Sequence, residues 1–122
     1  MNNEEFDQNC RDFMKRAIEY SEKARREGLL ALEDLIDCEK ARNRDIFEYG
    51  LQLVTDGVDS EIIGKILSNL IRQEKDENAV LLKTLQKEAL LAIQCGEYTI
   101  RIYQLLNSYT TMPLSDEFIE ID

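Results

Sequence analysis

The 122-residue sequence contains no histidine and no tryptophan, one proline and three cysteines. Without histidine the usual general base near neutral pH is missing, together with the commonest metal ligand. That excludes Ser-His-Asp and Cys-His catalysis and His-ligated zinc. No catalytic residue, metal site or cofactor is therefore expected. Cys10, Cys38 and Cys95 are odd in number, lie 28 and 57 residues apart and form no C-x-x-C pair, so a disulfide framework or zinc knuckle is not expected either. They read as reduced, mostly half-buried small apolar residues. Long apolar runs are also absent. The longest, Ala89 to Ile93, has five residues, whereas a membrane span needs about 20. Basic charge is scarce: 15 Lys and Arg against 25 Asp and Glu give a net charge of −10, which argues against nucleic acid and anionic membrane surfaces as partners. The first residues, Met1-Asn2-Asn3-Glu4-Glu5, are acidic where a signal peptide is basic, and a soluble cytoplasmic protein is the expectation.

What the chain has in quantity is Leu, Glu, Lys, Ala and Gln, all good helix formers, and the fold class expected is all-α. Phe6, Cys10, Phe13, Met14, Ala17, Ile18 and Ala24 recur at spacings of three, four and seven, which predicts a first helix ending near Gly28. Leu29, Leu30, Leu32, Leu35 and Ile36 then predict a short buried helix ending near Cys38. Glu39 to Asp45 has no apolar period and reads as a connection to a third helix carrying Ile46, Phe47, Leu51 and Val54. Asp56-Gly57 closes that helix, because glycine takes the left-handed conformation without a Cβ clash. Asp59 or Ser60 can cap the next helix, which carries Ile62, Ile63, Ile66, Leu67, Leu70 and Ile71. Residues 72–78 are polar throughout but free of Gly and Pro, so they are either an exposed stretch of one long helix or a hinge between two, with continuity favoured into Val80, Leu81, Leu82, Leu85, Ala89, Ala92 and Ile93. After Gly96 a last stripe follows: Tyr98, Ile102, Leu105, Leu106 and Tyr109. The expected architecture is a bundle of four to five helices with a long carboxyl-terminal helical hairpin or extended helix. One helical domain would cover residues 1–109, followed by an acidic tail over 110–122 with a small anchor in Phe118, Ile119 and Ile121.

Two segments carry more information. Ala24-Arg25-Arg26-Glu27-Gly28-Leu29-Leu30-Ala31-Leu32-Glu33 is followed, 17 residues after Glu33, by Gly50-Leu51-Gln52-Leu53-Val54-Thr55-Asp56-Gly57-Val58-Asp59-Ser60-Glu61. Together they resemble the cytoplasmic region of the MotA family, the stator A subunit of the bacterial flagellar motor. Its wording is close to A-R-[RK]-E-G-L-L-A-L-E and then G-L-Q-L-V-x-D-G-x-D-x-E. The firm match covers residues 20–70. Members of that family flank this region with membrane-spanning helices, which nothing in this sequence could form, so an ion channel is excluded and membrane insertion is not expected. Asp37 to Asp45 lacks the family's proline and is a few residues longer. Beyond residue 72 the chain continues as an amphipathic helix where the family enters a membrane helix.

Gly28 is expected to bring the backbones of the first two helices close, with Leu29, Leu30, Leu32 and Leu35 filling the core beneath. Arg25, Arg26, Glu27, Glu33 and Asp34 are too polar to be buried singly and can form a two-signed patch, which makes them the candidate partner-binding residues. The resemblance implies contact with the rotor switch protein at the positions of Arg25 and Glu33. The bland alternative is a solvated face with local ion pairs worth a few tenths of a kcal/mol. Gly28, Asp56, Gly57 and Asp59 read as structural turn residues. The oxygen ligands of a calcium loop are not matched by Asp56, Asp59 and Glu61. Tyr98, Tyr103 and Tyr109 are scattered around a helix and make no stacking platform. The function expected is a non-enzymatic scaffold, adaptor or regulator at the motor, cytoplasmic and peripheral to the inner membrane, with the rotor switch protein or a stator complex as partner. A helical adaptor or oligomerisation protein unrelated to motility is the alternative, since the stripes over residues 80–109 can bury against a second copy as readily as within one chain.

Overall fold

Asn2 starts the first helix by accepting a hydrogen bond from the Glu5 backbone N–H at 2.7 Å, and Glu4 and Glu5 in the first turn complement the helix dipole. This helix, α1, spans Asn3–Glu27 and buries Phe6, Cys10, Phe13, Met14, Ala17, Ile18 and Ser21 along one stripe. The structure, a computed structural model, describes residues 1–110. The acidic tail expected beyond that point lies outside the described residues. Helix is the only regular secondary structure among the described residues.

A 3₁₀ helix over Leu29–Leu35 follows α1, and then come α2 (Cys38–Arg42), α3 (Ile46–Thr55), α4 (Ser60–Ile71), α5 (Glu77–Gln94) and α6 (Thr99–Asn107). That makes seven helical segments among the described residues where four to five were expected. Of three local differences, the first changes a segment's type and the other two add segments. Leu29 to Ile36 is not a buried α-helix but holds a 3₁₀ segment, whose three residues per turn put Leu29, Leu32 and Leu35 on one ridge and leave Leu30 off it. Leu32 is fully buried, Leu29 and Ile36 are half-buried, and Leu30 and Leu35 are 68% and 38% exposed. The stretch read as a connection holds the single-turn helix α2, capped by Asp37, which accepts from the Lys40 N–H at 3.1 Å, and seated by buried Ala41. The continuous helix expected through residues 72–78 is broken. Asp76 accepts from the Ala79 N–H at 2.8 Å and so starts α5 afresh. Helix propensity allowed continuity there, but capping and the packing of α5 back onto α4 and α3 prevailed. No extended helix forms, and the chain turns again at Gly96 before α6.

α5 lies centrally, against α1, α3, α4 and α6. Its Leu90 side chain packs onto Gly50 of α3, where any Cβ would collide with it. Phe13 of α1 meets Phe47 of α3 edge-on at 4.8 Å. The turns are set locally. Gly57, at φ 81°, closes α3 after its C-cap Asp56, and Asp59 caps α4 by accepting from the Glu61 N–H at 3.1 Å. Of the cysteines, Cys10 is buried and Cys38 and Cys95 are exposed, and all three are free thiols. This corrects the half-buried expectation, since Cys38 and Cys95 fall at helix ends rather than on a stripe.

Candidate protein-interaction site

The corner between α1 and α2 is built by holding a short 3₁₀ segment at three points. At its entry, Gly28 takes φ 93°, which a side-chain-bearing residue rarely adopts, and its N–H donates to the Ala24 carbonyl at 2.8 Å. No atom lies within 4 Å of where a Gly28 Cβ would sit. Glycine is therefore required here for its backbone conformation, and not for the close backbone approach expected of it. In the middle, Leu32 is sunk into the core. At the exit, the Asp37 N–H donates to Glu48 Oε1 at 3.0 Å.

The five charged residues proposed for partner binding are all exposed, but they are not equivalent. Arg25 is engaged internally. Its guanidinium donates to the Gly96 carbonyl oxygen at 3.0 Å and stands 4.7 Å from the Tyr98 ring centroid. Glu27 pairs with Lys23 one turn earlier at 3.4 Å. Arg26, Glu33 and Asp34 form no ion pair among the described residues. Leu30, the most exposed large apolar residue, lies in the same segment. The corner thus presents an apolar side chain amid charges of both signs, with the acidic ones in excess.

Sequence reasoning missed the group beneath. Glu48 is 2% exposed, and its Oε2 accepts from Arg16 Nη2 at 2.9 Å. Arg16 lies over the rings of Tyr20 and Phe47, 5.1 Å from each centroid, and also donates to the Tyr20 hydroxyl at 3.1 Å. Partial burial works against the Arg16 charge, but the hydrogen bonds to Glu48 and Tyr20 outweigh it and raise its pKa. The available signal was a carboxylate on the apolar face of α3, flanked by Phe47 and Leu51. A second polar pair, the hydroxyls of Ser21 and Thr99 at 3.0 Å, ties α1 to the start of α6. Among the described residues no cluster of His, Cys, Asp or Glu has the arrangement of a metal site, and no helix is long and apolar enough to cross a membrane.

The chain is 39% identical over 79 residues to Motility protein A of Borreliella burgdorferi. It resembles part of a motility protein. The alignment takes in 62% of this chain and 29% of the relative, so the chain spans less than a third of the Motility protein A it matches. No protein-family model matches the sequence, and no solved structure matches it. The similarity to Motility protein A is thus partial, and the helix-only architecture of the described residues agrees with the all-α class.

Proposed function

We propose that this chain is a non-enzymatic interaction module of the bacterial flagellar motor, docking through the 3₁₀ corner on the rotor switch protein or on a stator assembly. The observation that carries the reading is the 39% identity over 79 residues to Motility protein A. The corner supports it physically. Arg26, in the last turn of α1, and Glu33 and Asp34, on the segment pinned at Gly28, Leu32 and Asp37, are exposed and unpaired among the described residues. A segment held in one conformation binds without a large ordering cost. Exposed charges at the rim of a contact set partner choice and encounter rate more than final affinity. The resemblance implies rotor contact at Arg25 and Glu33, and the engagement of Arg25 with Gly96 and Tyr98 favours a proposed contact through Arg26, Glu33 and Asp34.

The test is direct binding of the full chain to purified rotor switch protein and, separately, to purified stator assemblies. Binding to either at tens of micromolar or tighter is the expected outcome. Binding to neither would overturn the motor reading and leave a helical adaptor unrelated to motility.

A further inference from the structure

Glu48 is the one charged residue that is fully buried among the described residues. Leaving a carboxylate in a core without partners costs several kcal/mol, so its hydrogen bonds matter. Each oxygen has its own task. Oε2 accepts from Arg16 on α1, and Oε1 accepts from the backbone N–H of Asp37, two residues past the end of the 3₁₀ segment. Asp37 in turn caps α2, and the Glu48 N–H donates to Asp45 Oδ2 at 3.1 Å to start α3. One side chain therefore ties α1, α3 and the exit of the corner together.

A buried ion pair is weak evidence for stability, because a well-packed apolar pair of similar volume often serves as well or better. What an apolar pair could not do is accept from the Asp37 N–H, one residue after the 3₁₀ bonding ends: the Ala31 N–H donates to the Gly28 carbonyl at 3.2 Å at the entry and the Ile36 N–H to that of Glu33 at 3.3 Å at the exit. From this we infer that Glu48 is the positioning residue of the docking corner: by fixing Asp37 it holds the 3₁₀ segment in the arrangement that presents Leu30, Glu33 and Asp34. The functional part of this inference rests on the corner being the docking surface. The positioning part does not.

Amide hydrogen exchange, followed by NMR on the full chain, separates local loosening from general destabilisation. Glu48→Ala is expected to speed exchange at Ile36 and Asp37 by about tenfold more than at Leu85 and Ala89 in α5. Glu48→Gln retains an acceptor for the Asp37 N–H and is expected to keep the corner amides near wild-type rates. Equal acceleration at the corner and in α5, or none at the corner, would overturn the inference. If Glu48→Ala does not fold, the paired change Arg16→Met with Glu48→Met removes both charges and carries the same test. Unchanged corner protection in that variant, or its failure to fold, would also overturn it. In the binding arm, Glu48→Ala is expected to bind the rotor switch protein about tenfold more weakly although Glu33 and Asp34 are intact. Wild-type affinity in a variant with a loosened corner would refute the positioning role. Failure of the wild type itself to bind would instead sink the docking reading, with the exchange result standing independently.

Discussion

Arg25 reaches across 71 residues of sequence to donate to the Gly96 carbonyl oxygen, with its guanidinium carbon 4.7 Å from the centroid of the Tyr98 ring. The end of α1 is thereby joined to the turn between α5 and α6. A charge expected to face a partner is thus engaged within the chain while still exposed.

Arg25→Ala and Tyr98→Ala should each lower stability, and a double-mutant cycle should give a coupling of about 0.5–1 kcal/mol, the usual range for an exposed cation–π contact. Chemical denaturation of the four proteins checks this. Strict additivity would mean the stacking contributes nothing.

The same substitution at two helical glycines should act with opposite signs. Gly50→Ala forces a methyl into the buried Leu90 side chain, with Leu67 Cδ1 only 3.3 Å away, and should cost about 1–3 kcal/mol. Gly64→Ala meets Leu91 Cδ1 at an ordinary 3.8 Å and should stabilise α4 by about 0.5–1 kcal/mol through helix propensity. Thermal melts of both variants decide the point.

These contrasts show what could be read from the sequence. Several signals acting within four or five residues were legible: the α1 stripe from Phe6 to Ile18, the Asp56-Gly57 stop, the Asp59 cap and the turn at Gly96. The Asp37 and Asp76 caps, equally local, were missed, and signals set by distant partners were not legible. Leu30 read as core because leucine usually is, but it lies off the ridge of Leu29, Leu32 and Leu35 in the 3₁₀ segment, and Leu35, at the end of that ridge, is 38% exposed. Glu48 drew no reading from the sequence, and its partner Arg16 lies 32 residues away. Of the candidate site, the exposed charges Arg26, Glu33 and Asp34 were visible in the sequence around Gly28, whereas the exposure of Leu30 and the engagement of Arg25 with Gly96 and Tyr98 depend on tertiary packing.

The three thiols should react unequally. Burial, reinforced by the nearby Asp7 charge, pushes the Cys10 thiol up to about 11, so it remains protonated well above neutral pH. Cys38 and Cys95 are exposed. An alkylating reagent at pH 8 should label two cysteines quickly and Cys10 only after denaturation, as peptide mass mapping would show. Rapid labelling of Cys10 in the native protein would contradict its burial.

Acid should weaken the turn between α4 and α5. The hydrogen bond and charge of Lys83 lower the Glu74 pKa, and the Ala79 N–H lowers that of Asp76. A carboxylate with a depressed folded pKa contributes stability above its unfolded value, and this is lost as pH falls through the folded value. That contribution should be complete above about pH 5 and decline from there downward. Asp76→Asn should therefore narrow the difference in melting temperature between pH 6 and pH 3, as calorimetry at the two pH values would show. An unchanged difference would remove Asp76 from the account of acid sensitivity.

The central claim, docking through the corner, is tested most directly by the affinity of wild type and Glu33→Arg for purified rotor switch protein at low and physiological salt. The expected result is wild-type binding that weakens with salt and with the charge reversal, mainly through a slower association rate. Stability should stay within about 0.5 kcal/mol of wild type, since Glu33 is exposed. Equal affinity of the two proteins at both salt concentrations would contradict docking through this corner.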